Sequence, residues 1–152
     1  MQLEGLLVKE IKNINKYNGN VIPIIKNNDF INFKFGEAYF STIHPNVIKA
    51  WHLHKKISVV YSVIFGSVLS VFYDARKHSK TNGQIKLIYT NTENRFLIKV
   101  PKNIWVGFKC LGKKTAIISN ITSGIYSSDP PRRLEAYSKL INFNWDKEIL
   151  NK

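Results

Sequence analysis

Two histidines stand two residues apart in the stretch 51–56, WHLHKK, and two lysines follow them directly. Imidazole changes charge near neutrality, so such a pair can share a metal ion, move a proton, or simply form a hydrogen-bonded wall. On an extended strand the side chains alternate faces. That places Ile48, Ala50, His52 and His54 on one face, and Lys49, Trp51, Leu53 and Lys55 on the other. The two rings are then about 7 Å apart along the strand, a spacing at which one small ligand touches both.

A catalytic metal needs more than two imidazoles. Zinc and iron take three or four ligands. The residues after His54 are Lys55, Lys56, Ile57, Ser58 and Val59, with no carboxylate among them. Trp105 stands where a metal-binding barrel would bring a third histidine from a distant strand. No metal and no cofactor is therefore expected. Acid–base chemistry remains: a neutral His52 takes a proton and returns it, and nearby lysines stabilise the anion left behind. The chemistry this points to is proton abstraction next to a carbonyl.

The elements that must hold these residues are strands. Turn signals recur at short intervals: Asn18-Gly19-Asn20, Asn27-Asn28-Asp29, His44-Pro45-Asn46, Thr81-Asn82-Gly83, Asn91 to Asn94, and Gly112-Lys113-Lys114. Between them lie AYFSTI, VIKAWHLH, ISVVYSVIF, SVLSVFYDA, IKLIYT, RFLIKV, WVGFKC and TAIISNI, all rich in β-branched and aromatic residues. Many short strands at this spacing predict an all-β sandwich or barrel. Helical turns are expected only near the termini, one of them begun by Asp129-Pro130 and running toward Leu140.

The chain has 152 residues, which predicts a single domain spanning 1–152 with a core large enough to fold without staples. One cysteine, Cys110, excludes an internal disulfide and fits a reducing cytoplasm. No charged-then-apolar leader and no long apolar run is present, so neither export nor a membrane is expected. The net charge of +13 suits a polyanionic partner. The lysines are scattered, no run of five like charges occurs, and no nucleic-acid motif is present. A basic cleft for a diphosphate fits better than a nucleic acid, because two or three placed cations suffice for it.

The blocks GEAYFSTIHPNVIKAWHLHKK, VIFGSVLSVFYDAR and VPKNIWVGFKCLGKKTAIISN, in that order, resemble the dTDP-4-dehydrorhamnose 3,5-epimerase family. The resemblance covers residues 35–120, with a weaker tail to Trp145, and is closer to an epimerase-related branch than to the dedicated rhamnose enzyme. It implies a cupin jelly roll, a homodimer, no metal, and a nucleotide-linked 4-keto-6-deoxy sugar as ligand, used in surface-polysaccharide synthesis.

By that resemblance His52 matches the family's general base, and Lys49 stands where an arginine holds diphosphate or sugar. Tyr126 matches a tyrosine lining the sugar pocket, and Trp105, Gly107 and Phe108 match the segment that closes the barrel. The family's opposing acid is a tyrosine, and Asn120 occupies its place, although an amide cannot donate a proton as an acid. The family's lysine falls at Val59, which leaves Lys56 as the lysine that reaches in. Tyr39, Tyr61 and Tyr126 are the phenols available to substitute for the lost acid, and His54 is the neighbour of the base. The expected activity is epimerisation by proton abstraction next to the ketone. The alternative is a catalytically degenerate sugar-nucleotide-binding protein, and nucleic-acid binding stands third.

Overall fold

In the computed structural model, residues 2–30 and 32–147 are described. All eight expected β-rich runs form strands. They are β4 (Glu37–Ile43), β5 (Ile48–Leu53), β6 (Val59–Phe65), β7 (Val68–Asp74), β8 (Ile85–Thr90), β9 (Arg95–Val100), β10 (Ile104–Cys110) and β11 (Ala116–Thr122). The sequence pattern missed four shorter ones: β1 (Leu7–Ile11), β2 (Ile14–Lys16), β3 (Gly19–Val21) and β12 (Arg132–Arg133). β2 and β3 are exposed along their whole length, so no alternation of apolar and polar residues marks them.

Two five-stranded antiparallel sheets pack as a sandwich in the cupin jelly-roll manner. The first runs β1-β9-β6-β11-β4 and the second β12-β5-β10-β7-β8; β2 and β3 pair apart. Sequence neighbours such as β4 and β5 lie in different sheets, so the chain crosses the sandwich repeatedly. Between the sheets lies a core that includes Val59, Tyr61 and Ile118 from the first and Phe72, Val106 and Phe108 from the second.

Each sheet also has a covered outer face. Ile22, Ile24, Ile25, Phe30 and Phe33 pack over Val60, Leu97 and Ile121 on the first. On the second, Trp51 meets Trp145, Ile141 and Phe143 from the C-terminal segment. The indole nitrogens of Trp51 and Trp145 both donate to the carbonyl of Ala136, at 3.1 and 3.0 Å. Buried Lys109 donates to the Trp145 carbonyl at 2.9 Å. Gly107 makes room for this layer: a Cβ there would come within 2.7 Å of the Trp145 ring.

The expected helical turn after Asp129 is not formed. A short 3-10 turn covers Tyr126–Ser128, before Asp129, and the chain then extends so that β12 pairs with β5. Two prolines at 130 and 131 favour extended backbone, and pairing with β5 holds the segment open.

Candidate functional site

One mouth of the sandwich opens as a cavity of about 360 Å³. The second sheet contributes Lys49 and His52 from β5, His54 just beyond its end, Phe108 from β10 and Arg133 from β12. The first contributes Glu37, Tyr39 and Ser41 from β4 and Asn120 from β11. Tyr126 and Pro131, from the chain between β11 and β12, complete the lining.

Lys49 shares this cavity with both histidines, against strict alternation. The reason is a bulge. Phe108 pairs with Lys49 and Val106 with His52, so two steps along β10 span three along β5. One extra residue changes the parity of a strand. Ile48 and Ala50, expected beside the histidines, pack instead against the outer tryptophan layer, and Trp51 is fully buried there. The correction brings a cation into the site.

His54 is buried. Its Nδ1 lies 2.9 Å from the backbone carbonyl oxygen of Asp129. A carbonyl only accepts, so Nδ1 carries the proton and Nε2 is left with its lone pair free. The Asp129 carboxylate stands 3.6 Å from the same Nδ1. Its Oδ2 also accepts the backbone N–H groups of Lys56 (2.7 Å) and Ile57 (3.1 Å), which fixes the turn leaving β5. Burial pushes the His54 pKa down, and the Asp129 carbonyl and carboxylate pull it partly back; the net direction is down. His54 is therefore a neutral base at neutral pH. Burial also acts upward on Asp129, but the Lys56 and Ile57 amides hold its carboxyl below the usual range.

His52 lies deeper. Its Nε2 is 2.9 Å from the Tyr61 hydroxyl. Its ring lies 5.8 Å from Phe108 and 6.4 Å from His54, centroid to centroid. Burial, then the charges of His54, Arg133 and Lys49, push its pKa down to about 3. Burial raises Tyr61 far above the ordinary phenol value, so this hydrogen bond joins two neutral groups. His52 Nε2 is thus hydrogen-bonded to Tyr61, and burial keeps the ring neutral.

The remaining expected residues divide. Tyr39, Lys49, Asn120 and Tyr126 line the cavity. Tyr61 lies beneath it as the partner of His52. Lys56 is exposed and does not line the cavity: its backbone N–H is held by Asp129 at the turn. Trp105 also lies apart, packed against the outer tryptophan layer because β10 turns Val106 and Phe108 inward and its odd-numbered neighbours outward. The Asn120 amide nitrogen is held by Ser41 Oγ at 3.1 Å and the Ile118 carbonyl at 2.9 Å.

Sequence reasoning missed Glu37, Ser41, Asp129 and Arg133. Arg133 donates to the Tyr126 hydroxyl at 3.2 Å and pairs across β12–β5 with His52. Glu37 accepts the Tyr126 backbone N–H at 2.7 Å. The alternation of Glu37, Tyr39 and Ser41 was a usable signal, since β4 turns this polar face inward. Nothing in the sequence marked Asp129 or Arg133, which reach the site through an irregular segment. Among the described residues no three His, Cys, Asp or Glu side chains gather where a metal ion could sit.

Comparison with known proteins agrees with this architecture. The chain is 28% identical to a dTDP sugar isomerase from Desulfovibrio desulfuricans G20, with a TM-score of 0.90 over 96% of this chain and 95% of that one. It superimposes on ChmJ, a 3'-monoepimerase from Streptomyces bikiniensis crystallised with dTDP, with a TM-score of 0.86 over 98% of this chain and 78% of that one. At 15% identity that likeness speaks for the fold alone. Over 149 residues the chain is 30% identical to the spore coat polysaccharide biosynthesis protein SpsL of Bacillus subtilis (strain 168), covering 97% of this chain and 99% of that protein. Over 115 residues it is 28% identical to the probable low-salt glycan biosynthesis epimerase Agl13 of Haloferax volcanii, covering 74% of each. The profile of the dTDP-4-dehydrorhamnose 3,5-epimerase family matches residues 1–152, and the chain belongs to that family.

Proposed function

We propose that the protein epimerises a nucleotide-linked 4-keto-6-deoxy sugar by taking a proton from a carbon next to the ketone. The observation that carries this reading is the His54–Asp129 pair. Its geometry leaves His54 Nε2 unprotonated in a cavity that also holds Lys49 and Arg133. His54, rather than His52, is the base in this reading. The proton moves to Nε2, the carbon's electron pair passes to the ketone oxygen, and Asp129 stabilises the imidazolium that forms. Lys49 and Arg133 provide the positive field that both a diphosphate and an enolate require. His52, tied to Tyr61, positions the wall. A place in the synthesis of a surface glycan follows from the named relatives.

The test is proton NMR of dTDP-4-keto-6-deoxyglucose with the protein in deuterated water. The expected result is loss of the C3 or C5 proton signal, abolished by His54→Ala. No exchange with wild-type protein would overturn the reading in favour of a sugar-nucleotide-binding protein, to which Asn120, an amide at the family's acid position, lends support. We also propose a cytoplasmic homodimer. β4 ends its sheet with one edge unpaired among the described residues, and Phe35 and Phe40 beside it are 71% and 67% exposed. Light scattering tests the dimer.

A further inference from the structure

Inversion at carbon needs a proton donor on the face opposite the base, and the two sheets supply opposite faces. The base, His54, stands just past the end of β5 of the second sheet. Across the cavity, the first sheet presents a row of three paired residues: Tyr39 opposite Asn120 on β4 and β11, and Asn120 opposite Tyr61 on β11 and β6. Directly paired residues on neighbouring strands have Cβ atoms about 4.5–5.5 Å apart and share a face. The row thus reads phenol, amide, phenol.

Only one of the three can give up a proton to a ligand in the cavity. Asn120 carries an amide, whose hydrogens are not acidic, and its nitrogen is already bonded to Ser41 and Ile118. Tyr61 has its hydroxyl on His52 and lies under the cavity floor. Tyr39 lines the cavity, and its hydroxyl has no hydrogen-bond partner among the described residues. Tyr126 also lines the cavity, and a hydroxyl that accepts from Arg133 keeps its own proton. But it lies off the first sheet, in the chain between β11 and β12, with its ring 6.2 Å from that of His54 and 6.4 Å from that of Tyr39, so it is the competing donor the experiment must separate.

We propose that Tyr39 is the opposite-face proton donor, one strand over from the position where Asn120 has no acid to offer. The assignment rests on the epimerase reading above. In the step, the Tyr39 O–H bond breaks, a C–H bond forms on the face away from His54, and the enolate oxygen returns its electron pair to the ketone. The tyrosinate then recovers a proton from water, and His54 releases its own. Burial, Tyr126 and Glu37 all favour the protonated phenol at rest, which is the form a donor needs. Arg133 acts the other way and steadies the tyrosinate.

The experiment separates proton loss from inversion. Wild-type protein, Tyr39→Phe and Tyr126→Phe are incubated with dTDP-4-keto-6-deoxyglucose in deuterated water. Deuterium uptake is followed by NMR, and configuration by the ring couplings of the product after reduction of the ketone. Tyr39→Phe is expected to keep His54-dependent deuterium uptake while inversion falls by roughly 10²–10⁴-fold, the usual worth of a positioned acid. Tyr126→Phe, which alters the pocket wall, is expected to lower deuterium uptake and inversion together and so keep their ratio. Inversion by Tyr39→Phe at the wild-type rate would overturn the assignment and leave the epimerase reading standing, as would loss of inversion in Tyr126→Phe alone. Absence of deuterium uptake in the wild type would overturn both. As a second measurement, 3-fluorotyrosine at position 39 is expected to move the alkaline limb of inversion to lower pH. An unmoved limb would also overturn the assignment.

Discussion

The Asp129 carboxylate lies 3.6 Å from His54 Nδ1 while the carbonyl oxygen of the same residue accepts from that nitrogen at 2.9 Å. One residue therefore fixes the tautomer and supplies the counter-charge. The sign of its effect is defined. His54 titrates below its ordinary value because of burial, and Asp129 opposes that shift. Asp129→Asn removes the opposing charge, so the acid limb of kcat/KM is expected to move to still lower pH while the plateau falls. A pH–rate profile checks both; a limb that moves upward would contradict the pairing.

His52 and His54 are expected to separate in their pH behaviour. His52 holds its neutral form down to a pKa of about 3, so no limb near neutrality comes from it. His52→Gln should lower kcat through the loosened wall and leave the acid limb in place. His54→Gln should remove proton exchange altogether. Parallel profiles of the two variants decide which imidazole is the base.

Lys49 and Arg133 are the two cations of the cavity, against one carboxylate, Glu37. Replacing either by Met is expected to weaken dTDP binding, and the wild-type affinity should fall with added salt because exposed charges are screened. Calorimetry with dTDP at two ionic strengths measures both. Arg133→Met should also slow turnover, because Tyr126 loses its hydroxyl partner.

A separate polar cluster, none of whose residues lines the cavity, bears on stability. Asp74 is fully buried and accepts from Arg76 Nη2 at 2.7 Å, Ser79 Oγ at 2.6 Å and Thr81 Oγ1 at 2.7 Å. Burial pushes its pKa up, but these bonds outweigh burial and hold the carboxyl well below its usual range. Its contribution is present above the unfolded carboxylate pKa near 3.9 and is lost as pH falls through the folded value. Asp74→Ala, which takes the shared acceptor from Arg76, Ser79 and Thr81, is expected to cost about 1.5–3 kcal/mol in chemical denaturation.

Gly36 and Gly124 cross at the entrance to β4. A Cβ on Gly36 would overlap the Gly124 backbone. The Gly36 N–H also donates to the Thr122 carbonyl at 2.8 Å. Gly36→Ala is expected to displace the loop that carries Tyr126 and to lower kcat/KM more than it lowers the melting temperature. Thermal melts beside kinetics test the ratio.

Most of the fold was legible because eight strands carry dense β-branched and aromatic runs between turn residues. The strands that escaped are short and exposed, or, like β12, consist of two arginines whose extended form is set by pairing with β5. In the site, the histidine pair was legible from alternation, while Tyr39 and Tyr61 were named only as phenols available to replace the lost acid. The proposed choice of His54 over His52 was not legible: it rests on a contact with Asp129, 75 residues away in sequence. Lys56 adjoins the histidines in sequence, yet its strand has already turned outward. Trp105 belongs to a closing strand, but on its far side.

The extra residue in β5 makes the electrostatics of the cavity a matter of counting. Lys49 faces the cavity because it stands three steps before His52 where the partner strand advances by two. Removing Ala50 would abolish the bulge and set the lysine two residues before His52, where ordinary alternation keeps it on the cavity wall. A strand with a cation three residues before the histidine but no bulge would carry that charge on the opposite wall. For this strand, kinship in function is better judged by the length of the interval before the histidines than by the identity of the residue that opens it.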